Sequence, residues 1–190
     1  MIWQGSHTHV EQDFQPTGFA LLDEKLQGGF PKHGVIELQS PSGIGELRLL
    51  TPHLRRSLAK GLVVFIHPPG YVCPDHLYAE GIDPDQVLLV YPKSAQEALW
   101  TAEQCLKSGA CSSVMLWHGE LEIHQARRLQ VASETGDCLQ FIFKQTHASQ
   151  DDNNVISLPV SLSLKLTAHP VGLNITITKR KGDGLTARLS

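Results

Sequence analysis

The sequence predicts an α/β protein: a mainly parallel, twisted sheet flanked by helices, with a C-terminal antiparallel β-hairpin. Three observations predict it. Short apolar runs recur along the chain, and helix-spaced segments separate them. Most of these runs are continuously apolar, as expected of parallel strands covered on both faces. Near the C-terminus the rhythm changes to strict alternation, the mark of a hairpin with one wet face.

The strands are "VIEL" at 35–38, "LVVFIH" at 62–67, "VLLVY" at 87–91, "SVMLW" at 113–117 and "LQFIF" at 139–143. A helix follows the first of them, with Leu47, Leu50, Leu54 and Leu58 on one stripe. Pro52 lies inside that helix, so a kink or restart is expected there. "CPDHLYAEG" at 73–81 is a shorter helix with Pro74 in its first turn and Gly81 after it. Segment 94–108 is the clearest helix: Ser94 and Glu97 form a capping box, Ala98, Leu99, Ala102, Cys105 and Leu106 share a face, and Gly109 closes it. A further helix is predicted over 119–135, with Gly136 as its stop. Strands alternating with helices in this way make an open sheet with right-handed crossovers. "VSLSLKL" at 160–166 and "LNITITK" at 173–179 form the hairpin, with the turn in "AHPVG". Residues 1–15 read as an N-terminal extension and 16–190 as one domain. The polar stretch 145–154 reads as a mobile loop.

Of the 190 residues, 41% are hydrophobic and 18% charged, which favours a globular chain over a disordered one. A net charge of −3 and a pI near 6.3 argue against a surface devoted to nucleic acid. The four cysteines form no CxxC, so neither a zinc ribbon nor a redox pair is indicated, and buried thiols in a reducing cytosol are expected. The ten histidines include no recognisable metal-ligand set. The N-terminus shows no leader pattern, and no apolar run approaches the ~20 residues of a membrane helix. A cytoplasmic protein with no cofactor and no metal is the expectation.

The stretch "LQSPSGIGELRLL" at 38–50 stands where a strand turns into a helix. A working phosphate loop is G-x-x-x-x-G-K-[ST]: backbone N–H groups wrap the phosphates, lysine cancels their charge and the hydroxyl ligates magnesium. With Gly45 as the second glycine, Ser40 stands for the first, Glu46 for the lysine and Leu47 for the hydroxyl, while Gly43 supplies an additional glycine. A carboxylate ~4 Å from a phosphate oxygen costs about 4 kcal/mol at an effective dielectric near 20. A helix N-terminus returns only about 0.3–1 kcal/mol. The expectation is a degenerate loop without nucleotide hydrolysis.

"TGFALLDEKLQGGFPKHGVIEL", 17–38, resembles the segment that precedes the phosphate loop of RecA-type recombinases. "FIHPPG" resembles the strand ending in their catalytic glutamate, with Pro69 in its place. "EALWTAEQCLKSGACSSVMLW" resembles the helix and strand ending in their magnesium-associated aspartate, with Trp117 in its place. "FIFKQ" resembles the strand before their second DNA-binding loop. This resemblance implies a RecA-like core with a degenerate phosphate loop. "IWQG", "TGFALLDEKLQGGFP", "GIGELRLL" and "RRLQVASETGDCLQFIFK" resemble the narrower ImuA family, SOS-induced, associated with translesion synthesis and related to the SulA cell-division inhibitors. That resemblance implies a non-catalytic pseudo-ATPase acting as an adaptor. Its implied partners are RecA, an ImuB-like inactive Y-family polymerase and a DnaE-type error-prone polymerase.

With the catalytic set replaced, function is expected on surfaces. Candidate partner contacts are Trp3 in the extension, the pair Arg127 and Arg128, and the basic run Lys179, Arg180 and Lys181, with Arg188 beyond. For the last, a solvated terminus is the plainer reading; for the arginines, an exposed helix face. Asp151 and Asp152 leave the 145–154 loop little positive charge, so direct nucleic-acid binding is expected to be weak or absent. The alternatives are a SulA-type inhibitor that binds FtsZ and blocks its polymerisation, and an ATPase with a rearranged site.

Overall fold

A small antiparallel ribbon leads into the domain: β1 (Phe14–Gln15) pairs with β2 (Phe30–Pro31), and helix α1 (Ala20–Lys25) lies between them. The computed structural model describes residues 14–146, 158–180 and, as backbone, 187–189. Trp3, Lys181, Asp151 and Asp152 lie outside the described residues. Helix α1 is absent from the periodicity reading. Its six residues bury only Leu22, too few apolar positions to set a period.

The remaining elements follow in order: β3 (Gly34–Ser40), α2 (Glu46–Ser57), β4 (Leu62–Ile66), α3 (Pro74–Ala79), β5 (Val87–Val90), α4 (Ala95–Lys107), β6 (Cys111–Trp117), α5 (Ile123–Gly136), β7 (Leu139–Gln145), β8 (Leu162–His169), β9 (Gly172–Arg180) and β10 (Ala187–Leu189). They build one mixed eight-stranded sheet in the order β10-β9-β8-β3-β7-β6-β4-β5. From β8 to β5 every neighbouring pair is parallel; β9 and β10 are antiparallel additions. The hairpin β8–β9 is present, and β8 runs parallel to β3, with Ile36 opposite Leu162 and Leu38 opposite Leu164. The hairpin thus extends the central sheet rather than standing apart from it. Its turn is only Pro170–Val171, tighter than the 168–172 segment predicted for it.

Alternation along the strands divides the apolar residues between two cores. On one face, Ile36, Leu38, Phe65, Met115 and Phe141 meet Leu22 of α1, Leu50 and Leu54 of α2 and Leu77 of α3. On the other, Val35, Val64, Val114 and Ile142 meet Ala98, Ala102 and Leu106 of α4 and Ala126, Leu129 and Ala132 of α5. The small side chains on α4 and α5 let the two helices approach closely. At Gly136 a Cβ would lie 1.7 Å from the Leu106 carbonyl oxygen.

Three helix expectations change. Helix α2 runs through Pro52 without a break, its buried face carrying His53, Ser57 and Thr51 beside the leucines. Helix α5 starts at Ile123, not 119, and its left-handed stop is Asp137 (φ 50°) rather than Gly136. At α4, Ser94 accepts the Glu97 N–H at 3.1 Å, but Glu97 accepts from Lys93 N–H at 2.7 Å, one residue before the cap. Gly109 (φ 71°) closes α4 as expected. No helix among the described residues is long and apolar enough to cross a membrane.

Candidate functional site

The turn from β3 into α2 is built by two glycines in left-handed conformations, Gly43 (φ 78°) and Gly45 (φ 95°). A Cβ at Gly43 would meet nothing within 4 Å, and at Gly45 only Arg48 Cδ at 3.9 Å. Backbone conformation, not space, is what requires glycine at both. Ser40 ends β3, buried, and its carbonyl accepts the Thr146 N–H at 3.0 Å. Glu46 is the first residue of α2, and its Oε1 accepts the Gly43 N–H at 3.3 Å. The loop's own carboxylate therefore engages one of the backbone donors that such a turn presents. Leu47 turns inward and packs on the first core.

Beside this loop, at the carboxyl ends of β3, β4, β6 and β7, lies a cavity of about 590 Å³. That is where open parallel sheets bind ligands. Its aromatic wall is built in the core: Trp117 stacks on Phe143 with centroids 4.5 Å apart and planes at 6°, and meets Phe65 edge-on at 5.6 Å. Pro69 and Trp117 both line the cavity, the two positions that the resemblance pairs with catalytic carboxylates. Glu46 and Glu120 also line it. Among the described residues its one Lys or Arg is Lys144, which comes from β7 rather than from the loop. His67, the residue after β4, lines the cavity in a left-handed conformation (φ 56°), a strained backbone for a non-glycine. Burial pushes the His118 imidazole below its usual range, with His67 adding to the shift and a backbone bond at Glu120 opposing it.

The other expected contact residues do not gather into one patch. Arg127 is exposed. Its neighbour Arg128 donates from Nη2 to Glu103 Oε2 at 2.5 Å, so it ties α5 to α4 instead of offering a free guanidinium. Lys179 donates to the Leu158 carbonyl, and the Arg180 guanidinium sits 5.8 Å over the Phe14 ring. Both are engaged within the fold. Backbone of Arg188 pairs with Thr176 in the β9–β10 ladder. Trp3 and Lys181 lie outside the described residues. Among those described, no group of three or more His, Cys, Asp or Glu is arranged to hold a metal ion.

Sequence reasoning missed two buried polar clusters. Glu103, on the α4 face read as apolar, is 8% exposed and accepts Lys107 Nζ and Arg128 Nη2, each at 2.5 Å. On α2, His53 Nε2 lies 2.8 Å from Ser113 Oγ and 3.0 Å from Ser57 Oγ, and its ring meets Phe30 and Phe141, which also touch each other, in a three-ring edge-on cluster. The signal was available: His53 and Ser57 fall on the Leu50–Leu54 stripe.

Similarity to known proteins follows the same frame. The chain is 28% identical over 135 residues to protein RecA of Nocardioides sp., covering 70% of this chain and 38% of that protein. It is 34% identical over 104 residues to protein RecA of Acholeplasma laidlawii, covering 53% of this chain and 31% of that one. The chain is homologous to RecA. It spans about a third of the length of the RecA proteins it matches. Among solved structures, SulA from Pseudomonas aeruginosa superposes with a TM-score of 0.51 and 23% identity, over 59% of this chain and 98% of SulA. That likeness is one of fold. No protein-family model matches the chain.

Proposed function

We propose that this chain is a non-catalytic adaptor or regulator of SOS-induced mutagenesis, of the ImuA type, built on a RecA-like core whose phosphate loop has degenerated. It acts by protein contacts with RecA and with an ImuB/DnaE-type error-prone polymerase assembly during translesion synthesis, in the cytoplasm. One observation carries this reading: the Glu46 carboxylate accepts the Gly43 N–H inside the loop itself. A triphosphate entering there meets a negative charge where a working loop offers lysine. Homology to RecA supports the inherited frame, and the replacement of both further catalytic positions, by Pro69 and Trp117, supports its disuse. The protein needs no cofactor on this reading, and its direct hold on nucleic acid is weak or absent.

The test is a pull-down of the full chain against RecA, the ImuB-like protein and FtsZ, with ATP hydrolysis measured in parallel. Capture of RecA or the polymerase partner without turnover supports the proposal; turnover abolished by Gly45→Asp sinks it. A second reading, a SulA-type inhibitor of FtsZ polymerisation, draws on the SulA fold match, which spans 98% of that protein. A sharp loss of sedimentable FtsZ polymer at equimolar protein would favour it.

A further inference from the structure

The turn from α4 into β6 brings together two thiols that form no motif in the sequence. Cys105 lies near the end of α4 and Cys111 opens β6, with five residues between them. Gly109, in its left-handed conformation, reverses the chain. Ser108 holds both sides of the turn: its Oγ donates to the Cys105 carbonyl at 2.8 Å, accepts the Ala110 N–H at 3.1 Å and lies 3.6 Å from Cys111 Sγ. The two thiols hydrogen-bond each other. Both pack into the second core, as does Cys138, whereas Cys73 stands outside it before α3. Cys138 is fully buried, but Cys105 is only half-buried, Cys111 retains 8% exposure, and residues 107–110 over them are exposed. The hydrogen bond also divides the pair's roles. Donation from Cys105, helped by Ser108, holds the Cys111 thiol below its usual range against the opposing effect of burial. The same bond, with burial, pushes Cys105 up. Cys111 is thus the sulfur that gives up its proton, and a thiolate is the reactive form.

We infer that Cys105 and Cys111 are an oxidation site, a dithiol that hydroperoxides convert to a disulfide. Cys111 attacks first. Its sulfur bonds to one peroxide oxygen, the O–O bond breaks, and the departing hydroxide takes up the Cys111 proton as water, leaving a sulfenic acid. Cys105 then resolves it. The Cys105 sulfur bonds to the Cys111 sulfur, the S–O bond breaks, and the hydroxide leaves with the Cys105 proton as a second water. Together the two sulfurs lose two electrons and the peroxide gains them. Because the resolving thiol is already in contact, the sulfenic acid is consumed before more peroxide carries it to irreversible sulfinic acid. The new bond ties the end of α4 to the first residue of β6, and exchange with a free dithiol reverses it. The site is independent of the phosphate loop and of any partner.

The experiment treats the full, reduced chain with a small molar excess of hydrogen peroxide, alkylates the remaining thiols and maps the cysteines by mass spectrometry after trypsin. Lys107 lies between the two cysteines, so trypsin parts them unless a disulfide joins them. The wild type loses two hydrogens and yields Cys105 joined to Cys111, and a dithiol reductant restores both thiols. Cys105→Ser stops Cys111 at the sulfenic acid, which a cyclic diketone traps. Cys111→Ser slows oxidation of Cys105 at least about tenfold. A wild type whose Cys111 stays reduced overturns the inference. So does a disulfide joining any other pair of cysteines, or a Cys111 sulfenic acid that persists with Cys105 present. The decisive map is made on the wild type, so it stands whether or not the serine variants fold.

Discussion

Oε1 of Glu46 and the backbone N–H of Gly43 lie 3.3 Å apart, joined across the turn that opens α2. The carboxylate sits in the first turn of the helix, where the macrodipole favours it. Glu46→Ala should therefore destabilise the fold by about 0.3–1 kcal/mol, a drop of roughly 1–4 °C in melting temperature for a domain of this size. Saturating Mg-ATP should leave the wild-type melting temperature where it is. A ligand at a hundred times its Kd adds about 2.7 kcal/mol, so a rise of several degrees would refute the loss of nucleotide binding.

The buried His53 ring makes stability depend on pH. Burial, with Arg56 and Lys60 adding to it, lowers its pKa from 6.5 to about 3. The unfolded chain therefore takes up the proton first. The neutral ring's contribution is complete above pH 6.5 and is lost as pH falls from 6.5 towards 3. The loss amounts to roughly 3–5 kcal/mol at most. Urea titrations of the wild type and His53→Leu across that range should converge as pH falls, because the variant lacks this term.

Adjacent arginines on α5 should behave differently. Arg128→Ala strands the buried Glu103 carboxylate with Lys107 alone and should cost about 1–3 kcal/mol. Arg127→Ala should stay within about 0.5 kcal/mol. The Lys107 hydrogen bond and Arg128 hold the Glu103 carboxyl below its ordinary value against the opposing effect of burial. Its contribution is thus present at neutral pH and is lost as pH falls through the acid range. Equal melting temperatures for the two variants would refute this division of labour.

Gly136→Ala should separate α4 from α5. Its Cβ would overlap the Leu106 carbonyl oxygen at 1.7 Å, and backbone on both sides has to move. A cost of about 2 kcal/mol or more is expected by chemical denaturation. Gly43→Ala meets no such contact, so its cost is limited to the strain of a left-handed alanine, about 1–2 kcal/mol.

Strands β3, β4, β6 and β7 were legible because a strand covered on both faces must be apolar throughout, and helix α4 because Ser94 and its small-residue stripe mark it. Helix α1 was not legible, since one buried leucine makes no period. The roles of Arg128, Lys179 and Arg180 were not legible either. A cation near others in sequence looks like a surface patch; whether it is free depends on groups such as Glu103, the Leu158 carbonyl and Phe14, which the fold brings from elsewhere.

The order of strands and helices, the two-glycine turn and the charge of residue 46 are local facts, written in propensity, spacing and side-chain type. Which strand lies at an edge, which cation is already spoken for and whether Glu46 reaches its own loop are relations between distant parts of the chain. Only the packed sheet decides these, because burial and hydrogen bonding depend on neighbours that no short window of sequence contains.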